Sequence, residues 1–358
     1  MDEATPPGPV PRRSLVTGAT GLLGGNITAQ LLDAGGEVTA LVRDADRARR
    51  LLPDHPRLRI GVGDVTDPAA YTPLLAGCDT VFHTAAYFRE YYETGADLRV
   101  LERVNVASLH PLLRAAEDAG VSAFVHTSSV NVLATTGPDS PADEETPPPR
   151  RYRGLDRSLD YPSSKVRAEE AVREYARTCS MRVPIVLPGW MWGPGDAGPT
   201  SAGRLLQAVA AGRMRAVPAL GNYVVDARDV AAACVRAAGP GGGGRYVVAG
   251  TRHRLRDLTA AVAAETGTAA PREVPVPAAL GVVALMEGLA RLRGTEPPAT
   301  RTGLAVLREG DGRNITSARA QRELGTAFRP MERTIADEVA WYRAHGILPG
   351  PSGASVPR

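Results

Sequence analysis

Leu15-Val16-Thr17-Gly18-Ala19-Thr20-Gly21-Leu22-Leu23-Gly24 carries three glycines at intervals of three residues directly after an apolar segment. It predicts an apolar strand, a glycine turn and a helix that runs on to residue 32. Gly18 can take a backbone conformation closed to other residues, Gly21 lets the main chain approach a pyrophosphate, and Gly24 lets the helix press against the strand. The helix N-terminus adds free N–H groups and a partial positive charge. The stretch therefore predicts a phosphate-binding turn, although glycines also occupy ordinary strand-to-helix turns.

Length and composition limit the class of protein. The chain has 358 residues, 43% of them hydrophobic, and a formal net charge of +3 with acids and bases interspersed. No run of about 18 apolar residues occurs and the N-terminus lacks the pattern of a signal peptide, so we expect a cytoplasmic protein with no membrane partner. No basic block resembles a nucleic-acid arm, so no nucleic acid is expected as a partner.

The cysteines and histidines favour no metal site. The three cysteines are odd in number and far apart, which fits reduced thiols better than disulfides. The six histidines show no ligand spacing. His83 and His126 lie on predicted strands and are expected to be packed core side chains. We expect no metal in this protein.

Strands and helices alternate along the first half of the chain. After the opening strand, further strands are predicted at 37–43, 58–65, 80–86, 123–128 and 183–187, with helices between them that include 103–119 and 162–178. This alternation predicts an α/β fold with a doubly wound parallel sheet. Ligands bind beyond the carboxyl ends of the strands in such a sheet, so we expect one crevice there.

The pattern loosens after residue 187 and predicts a smaller lobe. A loop is expected at 189–198, strands at 223–225 and 245–249, and helices at 201–212, 229–238, 255–266, 278–293, 317–324 and 334–345. The predicted units are a flexible segment 1–12, a dinucleotide-binding domain 13–187 to which 223–250 partly returns, a discontinuous C-terminal substrate-binding lobe 188–348 and a flexible tail 349–358.

Tyr161 and Lys165 are candidates for proton transfer. Four residues apart on a predicted helix, they share one face. The ammonium favours the phenolate, so the phenol can exchange a proton near neutral pH. A Y-x-x-x-K pair by itself is more often a surface pair, and the order of elements supports the catalytic interpretation here. Upstream, Ser129 ends the fifth strand and is the hydroxyl favoured to hydrogen-bond a substrate oxygen, with Ser128 beside it.

Seven motifs together resemble one enzyme family. They are Thr17 to Gly24, Gly63-Asp64-Val65-Thr66-Asp67, His83-Thr84-Ala85-Ala86, Asn105-Val106, Thr127-Ser128-Ser129, Tyr161 with Lys165, and Gly193-Pro194-Gly195-Asp196. On these motifs the chain resembles the extended short-chain dehydrogenase/reductase family, that is the NAD-dependent epimerase/dehydratase family, in its dihydroflavonol-reductase-like and hopanoid-associated epimerase-like branch. The resemblance runs from about residue 13 to 347. It implies a Rossmann domain with a C-terminal substrate lobe.

The resemblance also implies roles for residues. Tyr161 would be the acid/base, Lys165 would hold the nicotinamide ribose and tune the tyrosine, and Ser129 would orient the reacting oxygen. Residues 64–65 would contact the adenine, 85–86 would line the ribose and 188–191 would meet the carboxamide. Helices 103–119 and 162–178 would pair two copies as a homodimer. The residues predicted to contact the cofactor are Thr17, Gly18, Thr20, Gly21, Leu22, Leu23, Gly24, Arg43, Arg47, Asp64, Val65, Thr84, Ala85, Ala86, Thr127, Tyr161, Lys165, Pro188, Gly189 and Met191.

Arg43 favours NADPH over NADH as the cofactor. NAD-selective relatives carry an acid about 20 residues after the glycines, at the end of the second strand, to hydrogen-bond the ribose 2′-hydroxyl. Here that position holds Arg43, whose guanidinium suits a 2′-phosphate, and Arg47 could add to it. Asp44 follows directly, and the alternative interpretation is an exposed arginine that leads into a helix.

Aromatic residues near the crevice bear on the substrate. Two tryptophans flank Met191, and Tyr87, Phe88, Tyr91 and Tyr92 cluster after the fourth strand. A pocket for an apolar, ring-containing ligand and a hydrophobic seam between the lobes are equally good interpretations. The residues predicted to bind the substrate are Tyr87, Ser128, Ser129, Trp190 and Trp192.

Three functional hypotheses follow. The first is an NADPH-dependent ketoreductase of secondary metabolism that reduces a ketone or aldehyde on a hydrophobic small molecule, polycyclic or polyketide-like compounds included. The second is an NAD(P)-dependent sugar epimerase or dehydratase. Sugar-nucleotide relatives resemble one another in an arginine before the pair Asp229-Val230, whereas this chain has Gly221-Asn222-Tyr223 there, so the second hypothesis ranks lower. The third is a non-catalytic dinucleotide sensor, which would not need an intact Ser129, Tyr161 and Lys165.

Overall fold

A seven-stranded parallel sheet forms the centre of the protein. The structure is a computed structural model, and it describes residues 10–87, 97–137, 139–150, 161–293, 295 and 301–349. The strands of the main sheet are β1 (Arg13–Thr17), β2 (Glu37–Val42), β3 (Leu58–Val62), β4 (Thr80–His83), β5 (Ala123–Thr127), β6 (Ile185–Pro188) and β10 (Arg245–Val248). Their order is β10-β6-β5-β4-β1-β2-β3, and each neighbouring pair is parallel. The predicted α/β fold with a doubly wound parallel sheet is confirmed.

Helices cover both faces of the main sheet. They are α1 (Leu22–Asp33), α2 (Ala45–Leu51), α3 (Pro68–Tyr71), α4 (Leu98–Glu102), α5 (Leu109–Asp118), α6 (Tyr161–Ala176), α8 (Ala227–Ala237) and α12 (Ala318–Leu324). One core packs Phe124 of β5 with α5 and α6. The other packs Val16 of β1 with α1, α8 and α12. Because the central strands are buried on both faces, β4 and β5 are buried at every position rather than at every second one.

A lobe with its own core lies beyond β6. Its elements are β7 (Trp190–Trp192), β8 (Ala216–Pro218), β9 (Gly221–Asp226), β11 (Thr251–Arg254), β12 (Arg272–Val274), α7 (Ser201–Ala210), α9 (Leu255–Thr266), α10 (Val276–Arg293), α11 (Arg301–Asp311) and α13 (Met331–Ala344). Strands β11, β9 and β7 form one small sheet, and β12 and β8 form another. Side chains such as Trp192, Leu206 and Val262 pack together in the lobe core.

The order of the strands in the main sheet determines where the ligand-binding crevice lies. β2 and β3 lie on one side of β1, while β4, β5, β6 and β10 continue the sheet on the other side. The ends of β1 and β4 therefore border the topological switch point, where sheets of this type bind their ligands. The glycine turn follows β1 at this point.

The structure differs from the expectations chiefly in the lobe. The predicted loop 189–198 contains β7, and the prediction lacks β8, β11, β12 and α11. Strands of three or four residues carry too few side chains to show a period, which is why the sequence pattern misses them. The predicted helix 103–119 begins earlier, at Leu98, and contains a π-helical turn at Arg103–Ala107.

The two predicted terminal segments fall almost wholly outside the described residues, since 1–9 and 350–358 are not described. None of the helices in the described part of the chain is long and apolar enough to cross a bilayer.

Candidate active site

The glycine turn is packed tightly against β1 and β4. Gly18 has a φ of +70°, and a Cβ at this position would lie 2.7 Å from the Ala85 nitrogen. A Cβ on Gly24 would lie 2.7 Å from the carbonyl carbon of Gly18 and closer still to its oxygen. The Gly21 N–H donates to that oxygen at 2.9 Å. The turn therefore has no room for a side chain at Gly18 or Gly24, as the roles predicted for them require.

The N-terminus of α1 is open to a ligand. Gly21 caps the helix without a side-chain hydrogen bond, and the first turn carries no acid. A Cβ on Gly21 would meet only the Gly18 oxygen, at 3.2 Å, so this side of the turn is otherwise clear. Leu22 and Leu23 have buried side chains and offer only their backbone N–H groups, while Thr20 is half-buried beside them. Free N–H groups and the helix dipole fit the pyrophosphate of a dinucleotide.

Thr17 joins the ends of β1 and β4. Its side chain is fully buried, with Oγ1 2.9 Å from His83 Nδ1 and accepting from the Ala85 N–H at 3.3 Å. The Thr84 hydroxyl donates to the Thr17 carbonyl oxygen at 2.7 Å. The Thr17 hydroxyl is thus committed to the protein, and the predicted cofactor contact could come only from its backbone. Thr84, Ala85 and Ala86 are half-buried at the edge of the crevice.

His83 and His126 form a buried stack beneath this edge. Their ring centroids lie 5.7 Å apart, and each residue is 2% exposed. Burial, with a smaller effect of the Lys165 charge, lowers the pKa of His83 to about 3. Burial also holds the pKa of His126 well below its ordinary value. Both rings are therefore neutral at physiological pH, as expected for packed core histidines.

The end of β2 carries the residues that bear on cofactor choice. Arg43 is exposed directly after the strand. Asp44 caps α2, because its carboxylate accepts from the Arg47 N–H at 2.9 Å. The Arg47 guanidinium lies against Gly198, where a Cβ would come within 3.0 Å of it. The acid next to Arg43 is thus engaged in a helix cap.

The turn after β3 holds the predicted adenine residues. The Asp64 carboxylate accepts from the backbone N–H and the hydroxyl of Thr66, at 2.9 and 2.8 Å. Val65 is buried in the core beside it. These bonds fix the loop that borders the far end of the crevice.

Tyr161 and Lys165 meet at the start of α6. The Lys165 Nζ lies 5.8 Å from the centroid of the Tyr161 ring, and it donates to the Thr127 carbonyl oxygen at 3.0 Å. Lys165 is 6% exposed, and its burial lowers its pKa to about 8, against the opposing effect of the nearby Glu169 carboxylate. The structure therefore brings together the phenol, the amine and the end of β5 that the sequence predicts.

Ser129 and Ser128 differ in their surroundings. Ser129 is half-buried, and its hydroxyl accepts from the Asn131 N–H at 3.2 Å, which leaves its proton available. Ser128 is 2% exposed and donates to the Glu169 carboxylate at 2.5 Å. A substrate contact by Ser128 would have to break this buried bond, so the geometry favours Ser129 alone as a ligand for a reacting oxygen.

Glu169 belongs to a buried network that the sequence reading did not identify. It lies one helical turn after Lys165, is 4% exposed, and forms an ion pair with Arg245 of β10 at 2.8 Å. Arg245 also donates to the Glu144 carbonyl oxygen, and the Glu144 carboxylate accepts from the Val247 N–H at 2.8 Å. The spacing Lys165 to Glu169 on one helix face was the available signal.

Asn105 clamps the chain after β4. Its side-chain oxygen accepts from the Tyr87 N–H at 2.7 Å, and its nitrogen donates to the Tyr87 carbonyl oxygen and to the Ser164 hydroxyl, at 3.1 and 3.2 Å. The amide is therefore satisfied within the protein, and Asn105 fixes the backbone at Tyr87. Tyr87 is half-buried at the crevice, while Phe88, Tyr91 and Tyr92 lie outside the described residues.

The tryptophans flanking Met191 have different positions. Trp192 is fully buried in the lobe core, which favours a packing role and corrects its placement among the substrate residues. Trp190 is half-buried and donates from Nε1 to the Ser201 hydroxyl at 2.8 Å. Met191 is also half-buried, so Trp190 and Met191 remain available to ligands.

The loop between β6 and β7 is fixed by its backbone. Pro188 ends β6 and is buried. A Cβ on Gly189 would lie 3.0 Å from the Tyr223 carbonyl oxygen, so only glycine fits between β9 and β10. The predicted contacts of Pro188 and Gly189 with the cofactor would therefore be backbone contacts.

Arg313 reaches the candidate site from the lobe, and sequence reasoning missed it. Its guanidinium donates to the Val130 carbonyl oxygen at 3.1 Å and to the Asn131 side-chain oxygen at 2.7 Å, immediately after Ser129. It also pairs with Glu309 at 3.2 Å. No local pattern could reveal this contact, because about 180 residues separate the partners.

Known proteins resemble the chain over nearly its whole length. Sterol demethylase protein B of Methylococcus capsulatus is 31% identical over 94% of this chain and 99% of that protein. The 4-hydroxy-2-methyl-3-oxo-4-farnesyl-3,4-dihydroquinoline-1-oxide ketoreductase of Stigmatella aurantiaca is 31% identical over 88% of this chain and 92% of that protein. The crystal structure of gox2253 matches with a TM-score of 0.75 and 32% identity, over 94% of this chain and 99% of that one. Residues 14–250 match the NAD dependent epimerase/dehydratase family, and the chain therefore belongs to that family of NAD(P)-dependent enzymes.

Proposed function

We propose that the protein is an NADPH-dependent reductase of a ketone or aldehyde on a hydrophobic small molecule. The observation that carries the proposal is the arrangement at the start of α6, where the Lys165 ammonium is held by the Thr127 carbonyl oxygen beside the Tyr161 ring. A phenol next to a buried cation can give up a proton at neutral pH, which is what carbonyl reduction requires.

Tyr161, Ser129 and Lys165 each have one role in the proposed carbonyl reduction. The bound dinucleotide would supply a hydride to the carbonyl carbon. Tyr161 donates the proton to the carbonyl oxygen, and the hydroxyl of Ser129 donates a hydrogen bond that holds this oxygen and stabilises its developing charge. Lys165 stabilises the phenolate that remains. The Thr127 carbonyl oxygen holds the Lys165 ammonium at the end of β5.

The preference for NADPH rests on the end of β2. Arg43 is exposed at the position where NAD-selective members place an acid. Asp44 could take that role only by giving up the cap of α2, which is worth about 1 kcal/mol. A guanidinium at this place favours a 2′-phosphate through charge-assisted hydrogen bonds.

The proposed substrate class rests on the lobe and on the relatives. Trp190 offers a half-buried aromatic surface next to Met191. The stretch Gly221-Asn222-Tyr223 stands where sugar-nucleotide enzymes of the family resemble one another in an arginine, so a diphosphate would lack its charge partner. Two relatives, the sterol demethylase protein B and the farnesyl-quinoline ketoreductase, carry names that refer to hydrophobic ring compounds.

The proton donor can be tested with two tyrosines of the same helix. Tyr161→Phe should lower turnover of a hydrophobic ketone at least about a hundredfold and leave NADPH affinity within twofold. Tyr175→Phe is the control, because that hydroxyl bonds to Glu117 and lies about four helical turns away. Equal turnover in the two variants would refute the role of Tyr161. Consumption of NADPH one for one with product would separate a reductase from an epimerase.

Cofactor preference can be tested with two arginines. Arg43→Ala should raise the KM for NADPH about tenfold or more and leave the KM for NADH unchanged, because only the 2′-phosphate loses a charged hydrogen bond. Arg49→Ala is the control, since Arg49 is exposed on α2 and pairs with Asp46. An equal effect on both nucleotides would contradict the proposed phosphate contact.

A further inference from the structure

Helix α10 presents apolar side chains to solvent. Of the nine large hydrophobic side chains that are exposed in the described part of the chain, six lie on this one helix. These six, which we name the α10 patch, are Leu280, Val282, Leu285, Met286, Leu289 and Leu292. Leu285 is 64% exposed and Leu292 is 86% exposed. Exposed apolar side chains concentrated on one helix mark a binding surface.

The opposite side of α10 attaches it to the lobe. Ala279, Val283 and Ala290 are buried on that side. Glu287 accepts from the Arg301 Nε at 2.8 Å, so the acid of α10 is paired with α11. A surface helix normally turns its charged residues to water and its leucines inward. Here the leucines face outward, so the helix is built for a nonpolar surrounding on its outer side.

Exposed arginines border the α10 patch. Arg293 ends the helix, and Arg308 of α11 shares a cavity lining with Leu280. Arg272 begins β12, and its N–H donates to the Arg215 carbonyl oxygen at 3.0 Å. Four residues of chain, at most about 14 Å, join Arg272 to the start of α10. Arg272, Arg293 and Arg308 are all exposed.

The acids nearest to this border are engaged elsewhere. Glu273 of β12 pairs with Arg256 at 3.7 Å. Glu309 of α11 pairs with Arg313 at 3.2 Å. The rim of the α10 patch is therefore basic, which complements an anionic partner.

We propose that the α10 patch and its arginine rim dock the protein on the surface of a bilayer that contains anionic lipids. The leucines and the methionine would enter the boundary between headgroups and acyl chains, and the arginines would meet lipid phosphates. The helix has 18 residues, a length of about 27 Å, and one side packed on protein, so it lies along the surface. This mode of contact needs no spanning segment, and it is an alternative to the expectation of no membrane partner.

A second copy of the chain fits the patch less well than lipid does. A two-fold contact places the same surface against itself, so it would bring the two arginine rims together. Like charges at such a contact oppose association. An anionic lipid surface satisfies both the apolar patch and its basic rim.

A cavity lies beside the α10 patch and shares a residue with it. It has a volume of about 400 Å³ and is lined by Val276, Leu280, Leu304, Ala305, Arg308 and Glu309. Leu280 belongs to both the patch and the cavity. Glu309 pairs with Arg313, which bonds to the turn immediately after Ser129. The Glu309–Arg313 ion pair thus connects the cavity to the candidate site. Entry of a hydrophobic substrate from lipid through this cavity rests on the proposed function. The docking itself does not.

The docking is tested by co-sedimentation of the full chain with vesicles, without substrate. The vesicles are phosphatidylcholine alone, or phosphatidylcholine and phosphatidylglycerol in equal amounts. The wild-type chain should bind the mixed vesicles at least about tenfold more tightly than the neutral ones. The double variant Leu285→Glu/Leu289→Glu should bind the mixed vesicles at least about tenfold more weakly than wild type, with an unchanged melting temperature. Val62→Glu is the control and should bind the mixed vesicles as wild type does. Val62 is 61% exposed on β3, an edge strand of the main sheet, whereas α10 belongs to the lobe.

The arginine rim is tested by Arg272→Glu/Arg293→Glu, which leaves the leucines intact and should also bind the mixed vesicles at least about tenfold more weakly. The docking is overturned if wild type does not bind the mixed vesicles, or if both double variants bind as wild type does. It is also overturned if wild type is a dimer that Leu285→Glu/Leu289→Glu converts to a monomer, because a second copy would then cover the patch. None of these measurements involves turnover, so failure of the proposed reductase activity would leave them unchanged.

Discussion

The glycine turn offers a matched pair of substitutions, Gly24→Ala and Gly25→Ala. Both residues lie in α1, and alanine raises the helix propensity of both by up to about 1 kcal/mol. At Gly25 the new Cβ would lie 3.4 Å from the Ala19 carbonyl oxygen, an ordinary contact. At Gly24 it would lie 2.7 Å from the Gly18 carbonyl carbon and 2.8 Å from the Thr84 hydroxyl, so α1 must move by about 1 Å to restore normal contacts.

The difference in melting temperature between the two variants measures the cost of this steric overlap. Forced overpacking costs about 1–3 kcal/mol. With an unfolding entropy of about 2 cal/mol/K per residue over a chain of this length, Gly24→Ala should melt roughly 1–4 °C below Gly25→Ala. The shifted turn should also lose at least one hydrogen bond to the pyrophosphate, which weakens NADPH binding by about tenfold or more.

Thermal unfolding with and without NADPH, and titration of NADPH by its fluorescence, measure both effects. Gly25→Ala should equal or exceed wild type in stability and bind NADPH as wild type does. If the two variants gave the same melting temperature and the same affinity, the close approach of α1 to β1 could not be what forms the phosphate-binding turn.

Three further outcomes are expected. Glu169→Gln removes a carboxylate that favours the Lys165 ammonium, whose pKa is about 8. The fall of kcat/KM at alkaline pH should therefore move to lower pH, and an unchanged pH profile of kcat/KM would contradict this coupling. Trp192→Ala should destabilise the fold by about 3–5 kcal/mol, because that side chain is fully buried. Trp190→Ala should instead raise the KM for the ketone. Denaturant unfolding measures the first effect and steady-state kinetics the second. Burial raises the pKa of Glu338 well above its ordinary value, so the folded chain holds this proton and loses stability as pH rises above about 4.5. Glu338→Gln should flatten the dependence of the urea midpoint on pH between about pH 5 and pH 8, and an equal slope in both proteins would refute the buried proton.

The main sheet and its crevice follow from local patterns. The central strands of the main sheet are short and largely apolar. The glycine turn follows β1 and the serines follow β5, while the Tyr161–Lys165 pair begins a helix. Such signals span at most a few helical turns, so they can be read along the chain. The small strands of the lobe are different, because three residues such as Trp190–Trp192 have no measurable period.

The residues that could do the chemistry can be identified from local sequence: a turn whose backbone requires glycine, and a phenol and an amine spaced by one helical turn. Both depend on backbone geometry within a few residues. Which of these residues are accessible to a ligand depends on how distant segments pack together. Glu169 engages Ser128 from 41 residues away, the lobe core encloses Trp192, and α10 turns its leucines outward. Burial and pairing are set by contacts between segments far apart in the chain, and no local pattern encodes them.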